Sequence, residues 1–87
     1  MKIKQGFITK KVAGDVIVIP AEQALVDFKA VITLNESGAF LWEHLKEEQT
    51  KESLLEKMAQ EYDADKDLIL ADIEEFLKVL EDKGLLE

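Results

Sequence analysis

The stretch 29–45, KAVITLNESGAFLWEHL, changes its hydrophobic period halfway along. Its first half alternates, with Ile32 and Leu34 on one face and Thr33 on the other, which is typical of a strand. Its second half has helical spacing. Asn35 stands at the junction and is a favoured N-cap residue, because its side-chain oxygen can accept from the free N–H groups of a first helical turn. The stretch therefore predicts a strand that passes directly into a helix.

Two further strands are predicted before this one. FITKKV (7–12) and VIVI (16–19) are rich in β-branched residues and flank a tight turn at Ala13-Gly14-Asp15. Pro20 ends the second strand, because proline cannot donate to a sheet ladder. Residues 21–28 have no clear period and are expected to form a loop. The third strand is then expected from Ala30 to Leu34.

Three helices are predicted after Asn35. The first carries Gly38, Leu41, Trp42 and Leu45 on one side, so we expect Trp42 to be buried. This helix is expected to end near Glu47-Glu48-Gln49. Thr50 caps a second helix with an apolar stripe from Leu54 to Tyr62, and the sequence Asp63-Ala64-Asp65 then breaks and re-caps the chain. A third helix runs to about Lys83, before Gly84. The fold class is α+β and winged-helix-like, a single domain over 1–87.

The third helix has more apolar surface than one contact requires. Ile69, Ile73, Phe76, Leu77 and Leu80 form its main stripe, and Leu68, Asp72 and Val79 lie together on one flank. Two interpretations remain open at this point. Either a three-helix core wraps the whole apolar arc, or the flank borders a cleft.

Charge and composition exclude several classes of protein. The net charge is −8, there is no Arg, and residues 35–87 hold sixteen acidic residues against six Lys, so a nucleic-acid binder is not expected. The absence of cysteine excludes disulfides and thiolate metal sites. Apolar runs are too short to cross a bilayer and no signal-peptide core is present, so we expect a cytoplasmic protein that does not contact membranes.

No catalytic constellation is evident. His44 is the only histidine and has no triad to complete, the carboxylates are scattered over helix faces, and the glycines form no phosphate-binding loop. Ser53 faintly resembles the attachment serine of small acyl carriers, but those proteins are all-helical. We therefore predict that the protein is not an enzyme and binds no cofactor or metal.

Several short motifs in series resemble the PqqD family. They are VDFKAVITLNESGAFLWEHL, the T-x-x-x-L-L of Thr50–Leu55, EYDAD, and DIEEFLKVLEDKGLLE. The most characteristic positions are Leu34-Asn35, Gly38, Leu41-Trp42, Tyr62, Asp72, Phe76, Leu77, Leu80 and Gly84-Leu85-Leu86. The resemblance covers essentially the whole chain, in the family's order and spacing.

The resemblance implies three antiparallel strands packed on three helices, and a non-catalytic function as a recognition element for ribosomally made, modified peptides. Such proteins bind the leader segment of a precursor peptide and present it to a modifying enzyme. That enzyme is often a radical S-adenosylmethionine enzyme or, in lasso-peptide systems, a leader peptidase and cyclase. In the family the leader adds as a fourth strand beside the third strand, facing the third helix.

The resemblance also implies a set of peptide-binding residues. From the third strand these are Lys29, Ala30, Val31, Ile32, Thr33 and Leu34, and from the third helix Leu68, Ile69, Asp72, Ile73, Glu75 and Phe76. Asp72 and Glu75 are expected to contact a Lys or Arg of the leader. The protein is expected to be a monomer or a weak homodimer.

Two alternatives remain. A structural or oligomerisation module would use the same free strand edge for self-pairing. A winged-helix transcriptional regulator would place its last helix in the major groove, where the acids of this helix would face phosphates.

Overall fold

The computed structural model describes residues 1–20 and 32–87. Three strands, β1 (Phe7–Val12), β2 (Asp15–Pro20) and β3 (Ile32–Leu34), are followed by three helices, α1 (Glu36–His44), α2 (Lys51–Glu61) and α3 (Lys66–Asp82). The predicted α+β class, a three-stranded antiparallel sheet followed by three helices, is confirmed. The predicted loop over 21–28 and the first part of the third strand lie outside the described residues.

The sheet has the order β1-β2-β3, so β2 is central. Ala13 and Gly14 connect β1 to β2 with φ values of +50° and +89°, which is the backbone of a two-residue type I′ turn. The β1–β2 register therefore begins at the pair Val12 and Asp15. On the other side of β2, Val16 lies opposite Leu34 and Val18 opposite Ile32.

Side-chain caps fix the start of each helix. The Asn35 side chain accepts from the Gly38 N–H at 2.8 Å, as its position after β3 predicts. Thr50 begins α2 in a capping box, in which its hydroxyl accepts from the Ser53 N–H at 3.0 Å and the Ser53 hydroxyl accepts from the Thr50 N–H at 2.9 Å. Asp65 caps α3 by accepting from the Asp67 N–H at 2.9 Å. These satisfied donors explain why the three helices start where they do.

The first helix is shorter than predicted. It ends at His44 rather than near Gln49, with Leu45 as its C-cap. The Leu45 carbonyl accepts from the Ile3 N–H at 2.9 Å, and the Gln49 side-chain amide donates to the His44 carbonyl at 3.1 Å. The last carbonyls of α1 thus bond to the N-terminal segment and to the following turn instead of continuing the helix.

The core lies between the sheet and the three helices. Trp42 is 1% exposed, as predicted, and its ring meets Phe7 of β1 edge to face at 6.5 Å between centroids. Ile3 pairs with Leu86 in an isolated bridge, which brings the N-terminal segment beside the residues after α3. The other large fully buried side chains are Leu41, Leu45, Leu54, Ile73, Leu80, Leu85 and Val18.

Candidate functional site

An open cleft of about 470 Å³ lies between β3 and α3. The strands supply Asp15, Ile32, Thr33 and Leu34 to its lining, and the junction and first turns of α1 supply Asn35, Ser37, Gly38 and Leu41. The third helix supplies Asp72, Glu75, Phe76 and Val79, which are spaced i, i+3, i+4 and i+7 and so share one helix face. The cleft is within the size range of peptide and small-molecule sites.

The hydrogen-bond phase of β3 follows from the hairpin register. In the type I′ turn the Asp15 N–H bonds back to Val12, so this pair is a hydrogen-bonded one, and such pairs alternate along antiparallel strands. Val16 and Val18 must then direct their main-chain groups toward β3, where they face Leu34 and Ile32. The remaining residue, Thr33, directs its N–H and C=O away from β2.

Thr33 therefore presents one donor and one acceptor at the outer edge of the sheet. Among the described residues β3 has only β2 as a neighbouring strand, so this edge is open to another extended chain. The side chains of Ile32 and Leu34 are buried and anchor the strand to the core. The strand is thus anchored to the core, and within residues 1–20 and 32–87 the main-chain groups of Thr33 face no other strand.

Gly38 allows α1 to approach α3 closely at the cleft. A Cβ built on Gly38 would lie 3.3 Å from Cε1 of Phe76 and 3.1 Å from the capping oxygen of Asn35. Phe76 is half-buried and packs against the core. The absence of a side chain at position 38 therefore lets the Phe76 ring lie against the start of α1 and form part of the cleft lining.

The cleft combines apolar walls with negative charge. Ile32, Leu34, Leu41, Phe76 and Val79 supply its apolar lining. The carboxylates of Asp15, Asp72 and Glu75 also line it, and none of them makes an ion pair with any residue in 1–20 or 32–87. The described lining contains no Lys or His, so the charge that these residues contribute to the cleft is negative.

The structure brings together about half of the residues that the sequence suggested for peptide binding. The six that line the cleft are Ile32, Thr33, Leu34, Asp72, Glu75 and Phe76. Ile69 and Ile73 are 4% and 0% exposed and belong to the core. Leu68 is 66% exposed but lies outside the described cleft lining, and Lys29, Ala30 and Val31 lie outside the described residues.

Both open interpretations of α3 hold in part. Ile69, Ile73, Leu77 and Leu80 are buried in the core, and the Asp72 and Val79 flank borders a cleft. Leu68, at the other end of this flank, lies outside the lining that the described residues form.

Asp15, Asn35, Ser37, Gly38, Leu41 and Val79 complete the lining and were absent from the suggested set. The sequence alone could not indicate that Asp15 lines the cleft. Its position depends on the strand order, because the pairing of β2 with β3 brings the hairpin turn next to Asn35.

Away from the cleft, α1 and the end of α2 share an aromatic cluster. The Phe40 ring lies 4.5 Å from His44 and 5.6 Å from Tyr62 between centroids. Burial raises the pKa of the Tyr62 hydroxyl, and the charges of Glu36 and Glu61 raise it further. No group of three or more potential metal ligands occurs within 1–20 and 32–87, and no helix there is long and apolar enough to span a bilayer.

Comparison with known proteins places this architecture in a family. The structure of TbiB1 in complex with the TbiA(beta) leader peptide superposes with a TM-score of 0.76 at 24% sequence identity, covering 100% of this chain and 95% of that one. No curated protein sequence gives a significant match. The family model for coenzyme PQQ synthesis protein D (PqqD) matches residues 18–86. The chain therefore belongs to the PqqD family.

Proposed function

We propose that this protein binds the leader segment of a ribosomally synthesised precursor peptide and presents it to a modifying enzyme. The leader adds as a fourth strand at the outer edge of β3. The observation that carries the proposal is the position of Thr33, whose main-chain N–H and C=O face an open edge directly beside the β3–α3 cleft. TbiB1, which shares the fold, has been solved with a leader peptide bound.

Pairing and side-chain capture contribute differently to this binding. Main-chain hydrogen bonds at a strand edge are largely independent of sequence and contribute about 0.5–1.5 kcal/mol each. Three described residues of β3 offer few such bonds. Selectivity must then come from leader side chains that enter the cleft between Leu34, Phe76 and Val79, where each buried CH₂ contributes about 0.8 kcal/mol.

The domain acts as a chaperone in this proposal and not as a catalyst. The modifying enzyme is a radical S-adenosylmethionine enzyme or a leader peptidase with its cyclase, working in the cytoplasm. The acidic face of α3 argues against the transcription-factor alternative, because Asp72 and Glu75 would repel DNA phosphates.

The test uses a displayed library of random twelve-residue peptides, selected against the full chain. We expect binders whose addition protects the Thr33 amide from hydrogen exchange and shifts its NMR resonance. Thr33→Pro removes the outward donor without breaking the ladder to β2, so it should fold and lose binding at least tenfold. Ile32→Pro removes a ladder donor and should unfold.

Thr9→Pro is the matched control. By the same register Thr9 directs its N–H away from β2 at the opposite edge of the sheet, in β1. It should therefore keep both the fold and the affinity. A folded Thr33→Pro variant that binds normally would place the peptide elsewhere, and self-association of the chain through β3 in sedimentation experiments would favour the oligomerisation alternative.

A further inference from the structure

We infer that the leader bound by this protein carries a cationic residue next to an apolar anchor, and that Asp72 and Glu75 select it, with Asp15 adding to the field. The inference rests on the proposed function and specifies the chemistry of its ligand. It follows from the charge and arrangement of the cleft walls.

The α3 wall divides into an acidic part and an apolar part. Asp72 and Glu75 precede Phe76 and Val79 on the same helix face, so carboxylates and apolar groups lie within one or two helical turns of each other. A peptide whose apolar side chain contacts Phe76 therefore has a neighbouring side chain within reach of a carboxylate. A third carboxylate, that of Asp15, faces the cleft from the opposite wall.

These carboxylates have no partner of their own in the described parts of the chain. Other acids do: Glu43 pairs with Lys46 at 3.0 Å and Glu74 with Lys51 at 3.8 Å. Other surface acids of these helices, among them Glu36 and Glu81, likewise make no ion pair within the described residues. What distinguishes Asp72, Glu75 and Asp15 is that they line one cleft together. An acidic leader would add like charge to this site, and a cationic leader would cancel it.

The effect on affinity is moderate because the three carboxylates are solvent-exposed. Exposed ion pairs contribute little individually, so loss of two of them should weaken a cationic peptide by about 3- to 30-fold at low salt. The preference should shrink as salt rises, since the screening length falls to about 8 Å at physiological ionic strength. The apolar anchor should be insensitive to salt.

The experiment compares three forms of the full chain in the same peptide selection. They are the wild type, the double variant Asp72→Asn/Glu75→Gln, and the control Glu56→Gln/Glu81→Gln. Both variants change the net charge by the same amount, but Glu56 and Glu81 are exposed and lie outside the cleft. Wild type and control should enrich peptides with Lys or Arg within a few residues of an apolar side chain. The double variant should retain only the apolar preference.

A thermodynamic cycle then locates the contact. The best wild-type peptide and its Lys/Arg→Gln version are titrated against all three proteins. We expect a coupling of at least threefold in Kd between the peptide cation and the Asp72/Glu75 pair, and none with the control pair.

Two failures are distinguishable. Peptides that require Thr33 but show no cationic preference, or a preference that persists in the double variant, would overturn this inference and leave the proposed function intact. The absence of any peptide that depends on Thr33 would overturn both.

Discussion

The two outer strands of the sheet differ in burial and in their surroundings. Among the described residues β1 and β3 each pair only with β2. Strand β1 is exposed along almost its whole length and carries Lys10 and Lys11. Strand β3 is anchored by buried side chains and lies beside α3 across an acidic cleft. The proposed binding site therefore depends on the cleft beside β3 as well as on the edge of that strand.

Lys10 and Lys11 place positive charge on the edge strand β1. Charged side chains on an edge strand discourage pairing with another chain, because pairing would bring like charges together or bury them. At β3 the side chain of Thr33 is uncharged, and the charges that line the cleft belong to Asp72 and Glu75 of α3 and to Asp15 of β2. The difference lies in where each edge carries its charge.

The largest expected effect on stability comes from truncating Trp42, which lies in the core. Trp42 is fully buried and packs against Phe7 of β1. Trp42→Ala should cost about 3–5 kcal/mol of unfolding free energy, a large share of the stability of a small domain, and denaturant unfolding would measure it. Binding would be lost with the fold.

Trp42→Phe is the informative control. The Trp42 Nε1–H is buried and has no hydrogen-bond acceptor among the described residues. Loss of that N–H therefore removes an uncompensated polar group, which offsets part of the lost packing. Trp42→Phe should cost less than half of what Trp42→Ala costs. Equal losses would mean that the indole N–H contributes stability that the described contacts do not account for.

The second prediction compares the two edge strands directly. Leu34 in β3 is 4% exposed and Val12 in β1 is 44% exposed. Leu34→Ala should destabilise the fold by about 2–4 kcal/mol because it leaves a cavity under the cleft, whereas Val12→Ala should cost about 0.5 kcal/mol or less. Thermal unfolding of both variants checks this. A comparable loss for Val12→Ala would show that β1 is more deeply packed than its exposure indicates.

The local sequence predicted the elements better than it predicted the site. The N-caps at Asn35 and Thr50 follow from side-chain chemistry within one turn, and they are where expected. The end of α1 was wrong because the Leu45 carbonyl bonds to Ile3, a partner more than forty residues away along the chain. Such long-range contacts leave no mark on local periodicity.

The candidate site shows the same limit. Helical spacing correctly grouped Asp72 with Val79 on one flank of α3, but spacing cannot distinguish a cleft wall from the core, and so Ile69 and Ile73 were included among the suggested contacts. Asp15 was missed because its place in the cleft depends on the strand order. Sequence spacing identifies the residues that share one face of a helix, whereas a cleft depends on how two elements lie relative to each other.

The smallest expected effects on stability concern two glycines, Gly38 beside the cleft and Gly84 after α3. Gly38→Ala gains helix propensity of about 1 kcal/mol, but its Cβ presses on the capping oxygen of Asn35 and on Phe76, which offsets that gain. Stability should change by about 0.5 kcal/mol or less, while the displaced Phe76 ring should weaken peptide binding several-fold. Gly84 has a φ of +71° and open space around it, so Gly84→Ala should cost about 1 kcal/mol through backbone strain and leave binding unchanged. Unfolding and peptide titration of both variants should thus give opposite patterns: Gly38→Ala loses affinity with little change in stability, and Gly84→Ala loses stability with no change in affinity. Unchanged affinity in Gly38→Ala would remove Phe76 from the proposed site.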